Sequence, residues 1–362
     1  MEMTMNVMFK NFWVFAAVLV FMVNASTQAN AVELSNKTVL ENHALWNSYR
    51  KRFIMADGRV VDTLNNNISH SEGQGFAMVL AVAANDRETF NLLYKFANEK
   101  LAIRTDALFA WRYDPNKEAP VSDLNNASDG DLLIAWALLE AQARGWGEAK
   151  GESAKKILED LEKLVLDHPS FGRILKPGEV GFDQDESWIV NPSYWVFPAF
   201  ERIAELTGSS FWKRLIPSGE QIMMQHLSSG SKGAPDWIVI NKQTSNLSFS
   251  EEKLPIFGYE AIRVPLYILL AETTDQSLAY EIVNAARTAD NSAMLQHFNV
   301  ETGERLEKFK SHGYRAITAL ADCKRNQTPL AKKFTQRLDD NYYPATLQLL
   351  SLLGTRKGSE KC

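Results

Sequence analysis

"GFAMVLAVAANDRETFNLLYKFANEKL", residues 75–101, joins two unlike helical stretches. The first, 75–84, is apolar on every side and rich in small residues, as a helix buried all round must be. The second, 87–101, repeats apolar residues at i, i+3 and i+4 with a charged stripe opposite, so it is expected to cover the first from outside. The pairing recurs. Residues 130–143 (GDLLIAWALLEAQA) and 260–272 (EAIRVPLYILLAE) are of the inner kind, and 153–166 (SAKKILEDLEKLVL) is of the outer kind. Helical periodicity also marks 40–54, 193–206, 212–227, 277–289, 312–323 and 344–354. Inner and outer helices in alternation predict an all-α protein, an α/α toroid. Short strand-like pieces are expected in its loops at 106–114, 181–190 and 236–249, and two helical domains are the runner-up arrangement.

The chain has 362 residues, 45% hydrophobic and 23% charged, an ordinary globular composition with ample apolar material for a large core. Its formal charge of −5 comes without any Lys/Arg block, so the electrostatic footprint of a nucleic-acid binder is missing. Lys10, an uncharged run from Phe12 to Val23 and the small-x-small triplet Ala29-Asn30-Ala31 read as a secretory signal peptide over 1–31. The run is shorter than the roughly 20 residues that span a bilayer, so a periplasmic or secreted protein without stable membrane insertion is expected. One domain over 32–355 should follow, then a polar, frayed tail, 356–362. The two cysteines, Cys323 and Cys362, do not make a disulfide scaffold, and a bridge between them is possible but not deducible. The six histidines are scattered, without metal-ligand spacing.

Three acids stand where inner helices begin. Ser71 followed by Gln74 three residues on resembles a capping box, with Glu72 the first helical residue. Ser128, Asp129 and Asp131 repeat the arrangement before 132–143, and Glu260 follows Gly258 at the start of the third inner helix. Inner helices of a toroid run parallel, so Glu72, Asp129 and Glu260 are expected to face one cleft. The simpler account of each acid taken singly is the helix dipole, which favours carboxylates at N-termini. Against it stand the aromatic residues in the neighbouring loops: Trp111, Trp188 with Tyr194 and Trp195, and Trp237. Flat rings beside carboxylates suit a sugar polymer, whose C–H faces stack while its hydroxyls bond to acids.

At these residues the chain resembles glycoside hydrolase family 8, inverting bacterial glucanases with an (α/α)6 barrel. "SEGQGF" (71–76) is similar to the family's S-E-G-x-G-aromatic motif, and "ASDGDLLIAWALLEA" (127–141) to its A-[ST]-D-[AG]-D signature. "NPSYW", "PDW" and "GYEAIRVPLY" resemble further family segments, so the likeness spans about 40 to about 270. Within the family the chain looks most similar to the periplasmic endoglucanases encoded with bacterial cellulose synthases. The resemblance implies that Glu72 is the general acid, that Asp129 holds the distorted sugar, and that Glu260 is the base for the attacking water. It departs from the pattern at Glu260, where the family has Asp, and at Gly145, where the signature ends in an aromatic.

The expected activity is hydrolysis of β-1,4-glucan by single displacement, needing no cofactor or metal. Trp111, Tyr194, Trp237 and Arg263 are the expected substrate contacts, Arg263 also holding Glu260 ionised or else forming an ordinary ion pair. The cellulose synthase machinery is a further partner that the resemblance implies. Two rival readings remain: a related glycosidase of chitosan, xylan or mixed-linkage glucan, and a glycan-binding protein that has lost turnover through the altered base.

Overall fold

A computed structural model describes residues 40, 43–250, 253–289, 294–355 and 362; the expected signal peptide lies outside them. The helices are α1 (Ala44–Phe53), α2 (Ser71–Ala83), α3 (Arg87–Lys100), α4 (Ser128–Ala143), α5 (Ala149–Glu162), α6 (Phe197–Thr207), α7 (Leu215–Ser228), α8 (Arg263–Leu270), α9 (Gln276–Ala286), α10 (Arg315–Asn326), the single turn α11 (Lys333–Gln336) and α12 (Tyr342–Leu353). Even-numbered helices pack in the ring α2–α4–α6–α8–α10–α12 and α12 returns to α2, while the odd-numbered ones lie on them from outside. This is the (α/α)6 barrel.

Burial separates the two kinds as the apolar patterning predicts. Every residue of α8 is buried, and so is every residue of α2 except Glu72, whereas α3 buries one stripe, Thr89, Phe90, Leu93, Phe96 and Ala97. Three of the outer helices, α1, α3 and α9, are started by side-chain caps: His43 accepts the Leu45 amide at 3.2 Å, Asp86 the Thr89 amide at 3.0 Å, and Asp275 the Ser277 amide at 2.9 Å. Each aspartate cap contributes about 1 kcal/mol.

The inner helices start differently from expectation. Neither Ser71 nor Ser128 is a cap; both hydroxyls are buried without a hydrogen bond. Gln74 turns away from the helix end, accepting the Val60 amide and donating to the Gly58 and Leu93 carbonyls. Asp131 likewise accepts the Phe109 amide and the Asn126 side chain, both at 2.8 Å, and fastens the neighbouring loop to α4. At the third site α8 begins at Arg263, so Glu260 sits in the turn just before it.

Among the described residues ten short strands decorate the loops. β1 (Ser69–His70) pairs with β2 (Arg112–Tyr113) and runs straight into α2; β3 (Val165–His168) and β4 (Gly172–Leu175) form a hairpin. β5 (Ser187–Val190), β6 (Ile238–Asn241) and β7 (Leu247–Ser248) make one antiparallel sheet, and β8 (Ile256–Phe257), β9 (Gln296–Asn299) and β10 (Arg305–Lys308) another. The hairpin β3–β4 ends α5 at Glu162 rather than near 166, because the β-branched Val165 pairs with Leu175 instead of prolonging the helix.

Beyond α12, Cys362 is disulfide-bonded to Cys323 of α10. The tail expected to fray is therefore fastened at Cys362; residues 356–361 lie outside the described ones.

Candidate active site

The N-terminal mouths of all six inner helices open on one cleft of about 510 Å³. Glu72 comes from α2, Asp129 from α4, Tyr194 from the loop entering α6, Glu260 and Arg263 from α8 and its preceding turn, Tyr314 from before α10, and Tyr342 and Tyr343 from α12. The three acids therefore meet because parallel inner helices begin at the same end of the barrel.

Arg263, only 2% exposed, is the hub. Its Nη1 contacts Glu72 and lies 3.4 Å from Asp129 Oδ2; its Nη2 contacts Glu260 and donates to Ser193 Oγ at 2.6 Å. One positive charge thus serves three carboxylates, not only Glu260. Asp129 Oδ1 accepts the Gly130 amide at 2.8 Å, while its Oδ2 has only the ion pair. Glu260 Oε2 also accepts from Asn191 and Ser193, each at 3.3 Å.

The electrostatics follow from this shortage of positive charge in a dry place. Burial pushes Asp129 up to about 7, opposed by its bond to the Gly130 amide. Glu260 is pushed up to about 8, first by burial, then by the charges of Asp236 and Asp129, with Asn191 and Ser193 acting in the other direction. His70, which stands at the entry to α2, is pushed down to about 4 by burial and by the charges of Arg112 and Arg263. The cluster therefore retains a proton at neutral pH, and His70 contributes no charge to it.

Aromatic rings complete the walls. Trp111 lines the cleft beside Glu72: its carbonyl accepts the Ser71 amide at 3.0 Å and its indole N–H donates to Asp123 at 2.8 Å. Tyr194 lies under the Arg263 guanidinium, 5.7 Å from ring centre to Cζ. Trp237 does not line this cleft. It stands beside Tyr194, with ring centroids 6.1 Å apart, stacks on Phe182 at 5.8 Å and lies beneath Lys253. Trp188 and Trp195, expected among the loop aromatics, are buried in the core because their segment is a sheet strand and a tight turn packed under the helices.

Sequence reasoning missed Tyr259, Tyr314, Tyr342, Tyr343, Asp62 and His70 in the lining. Tyr342-Tyr343 stand at the start of the apolar α12, the same signal that marked the acids, whereas Tyr314 precedes the amphipathic α10. It went unread there because tyrosine at an apolar boundary looks like core.

Three carboxylates around one guanidinium, in an aromatic-walled cleft at the mouth of an α/α barrel, define a glycoside hydrolase. The chain belongs to the glycosyl hydrolases of family 8, whose profile it matches over residues 5–357. It is 33% identical over 305 residues to a probable endoglucanase of Novacetimonas hansenii, covering 84% of this chain and 88% of that protein. It is 39% identical over 223 residues to an endoglucanase of Cellulomonas uda, an alignment spanning 62% of each chain. Among solved structures it superposes on a family 8 endoglucanase from Klebsiella pneumoniae with a TM-score of 0.75 at 33% identity, covering 86% of this chain and 98% of that one.

Proposed function

We propose that the protein is an endo-β-1,4-glucanase that cleaves cellulose or a related β-glucan by single displacement with inversion. The observation that carries this reading is the meeting of Glu72, Asp129 and Glu260 on Arg263 within an aromatic cleft. Glu72 protonates the leaving glycosidic oxygen. Glu260 takes a proton from the water that attacks the opposite face of the sugar. An inverting pair works at a separation of roughly 6.5 to 9.5 Å, which leaves room for that water. Asp129, fixed by the Gly130 amide, holds the distorted sugar through its hydroxyls. Arg263 binds the carboxylates in place and limits their mutual repulsion. Trp111 and Tyr194 supply the faces on which sugar rings stack, and Trp237 packs against Tyr194.

Relatives named endoglucanase support the polymer assigned here, including an endo-β-1,4-glucanase from Acetobacter xylinum that is 31% identical with a TM-score of 0.74. We also infer a role beside a cellulose synthase, on the resemblance of the motifs at 71–76, 127–141 and 258–267 to those of periplasmic endoglucanases. Export to the periplasm or medium is supported by the leader pattern in 1–31 and by the Cys323–Cys362 bond, since disulfides persist in oxidising compartments. Among the described residues no helix is long and apolar enough to cross a membrane.

The test is release of reducing ends from carboxymethylcellulose, chitosan, xylan and mixed-linkage glucan by the protein and its Glu72→Gln variant. Fastest release from carboxymethylcellulose, lowered about 10²- to 10⁴-fold in the variant, is expected for loss of a general acid. Preference for another polymer would reassign the substrate. Tight binding without release by either protein would support the glycan-binding reading.

A further inference from the structure

Glu260 lies on a turn, not a helix, and something must hold that turn. The sequence segment Pro235-Asp236-Trp237 precedes β6, and the Asp236 carboxylate, 9% exposed as a residue, points beneath the turn. Its Oδ1 accepts the Gly258 amide at 2.9 Å and the Ala261 amide at 2.7 Å, with the Glu260 amide also directed at it. Gly258 has no side chain for a reason: a Cβ there would collide with the Asp236 carboxylate. From the other side Tyr343 Oη donates to the Tyr259 carbonyl at 2.7 Å.

We propose that Asp236 is a positioning residue for the hydrolytic reaction, gathering the amides on both sides of Glu260 so that its carboxylate is presented to the cleft floor. The inference rests on the reading of Glu260 as the base. The turn's own backbone bonds, from the Ile262 amide to the Gly258 carbonyl at 3.2 Å and from the Arg263 amide to the Glu260 carbonyl at 3.1 Å, leave the Gly258, Glu260 and Ala261 amides to the Asp236 carboxylate. A carboxylate accepting several amides at once fixes such a turn, and a displacement of about 1 Å in a catalytic group costs about a hundredfold in rate. The same charge acts on the base through space. Asp236, Asp129 and Glu72 are the negative groups facing Glu260; Arg263 is the cation, and Tyr194, Tyr267 and Tyr343 are the neutral phenols around it. Asp236 thus strengthens the hold of Glu260 on its proton while keeping it in place, which makes the base stronger once it is ionised.

The experiment compares kcat, KM and the pH dependence of kcat/KM on carboxymethylcellulose for wild type, Asp236→Asn, Asp236→Ala and Glu260→Gln, with thermal melts of each. Asp236→Ala should lose kcat by tenfold to about a hundredfold, with KM within about threefold of wild type. Asp236→Asn keeps an oxygen for the amides but no charge. It should recover most of kcat while moving the acid limb down by roughly half a unit to one unit. If the alanine variant does not fold, the asparagine variant alone decides. An Asp236→Asn enzyme with an unshifted limb would overturn the proposal, provided Glu260→Gln is inactive. An active Glu260→Gln would instead remove the base reading on which the proposal stands.

Discussion

Glu260 carries one methylene more than the aspartate of the family pattern, and the structure shows where the extra length goes. It brings Oε2 to Asn191, Ser193 and Arg263, so the longer acid is gripped by three partners rather than left loose. Glu260→Asp would withdraw the carboxylate by about 1.5 Å, one carbon–carbon bond. That variant should lose about tenfold or more in kcat, with KM little changed, and a kcat equal to or above wild type would mean that the longer acid is detuned. The raised position of Glu260 also has a sign. In its proposed role of base Glu260 works only when ionised, and burial together with Asp236 and Asp129 pushes it up to about 8. Activity should therefore climb with pH from 5 toward 8, where an unperturbed carboxylate would already be fully ionised at 6. A kcat/KM profile that is flat between pH 5.5 and 8 would contradict the electrostatics described above.

At the scale of elements, the glycines beside the acids explain why the motifs read as they do. A Cβ on Gly75 would come within 2.6 Å of Leu133 Cβ, and one on Gly130 within 2.6 Å of the Glu72 amide nitrogen. The starts of α2 and α4 touch backbone to backbone, which is what brings Glu72 and Asp129 onto one guanidinium. Gly130→Ala should therefore cost about 1–3 kcal/mol by overpacking and, by parting the two acids, lower kcat at least tenfold. A melt and an activity assay on the same preparation check both, and a fully active Gly130→Ala would contradict the close-approach argument. Three inner helices, α2, α4 and α8, were legible because burial on nearly all sides leaves an almost wholly apolar run, and their acids because a carboxylate at such a boundary stands out; α6 and α10 were not, because each buries only part of its surface and reads as amphipathic. The caps were not. Ser71 and Gln74 have the spacing of a capping box, but tertiary partners, the Val60 amide and the Gly58 and Leu93 carbonyls, outcompete the local one for Gln74. Arg263 was visible as a substrate contact and a partner of Glu260 but not as the hub of all three acids, since its reach to Glu72 and Asp129 depends on helices far apart in sequence.

The whole molecule is a ring, and a ring needs closing. α12 completes it by packing between α10 and α2, and the Cys323–Cys362 bond spans 39 residues across α11 and α12. In the chain-entropy account such a loop contributes about 4 kcal/mol, and native bridges commonly 2–5. Cys323→Ser should lower the melting temperature accordingly, yet leave activity at 25 °C nearly intact, because the bridge touches nothing in the cleft; a thermal melt paired with an assay tests it. An unchanged melting temperature would show that the helices close the ring without help. On the proposed reading, six helix mouths facing one way set Glu72 and Glu260 to act on opposite sides of a glycosidic bond, with a water between the base and the sugar. That arrangement fixes the stereochemistry of the product. The most direct measurement is the anomeric configuration of the first reducing ends released from a soluble β-1,4-glucan oligosaccharide, followed by proton NMR before mutarotation. The account requires the α-anomer to appear first; initial release of the β-anomer would contradict single displacement by Glu72 and Glu260.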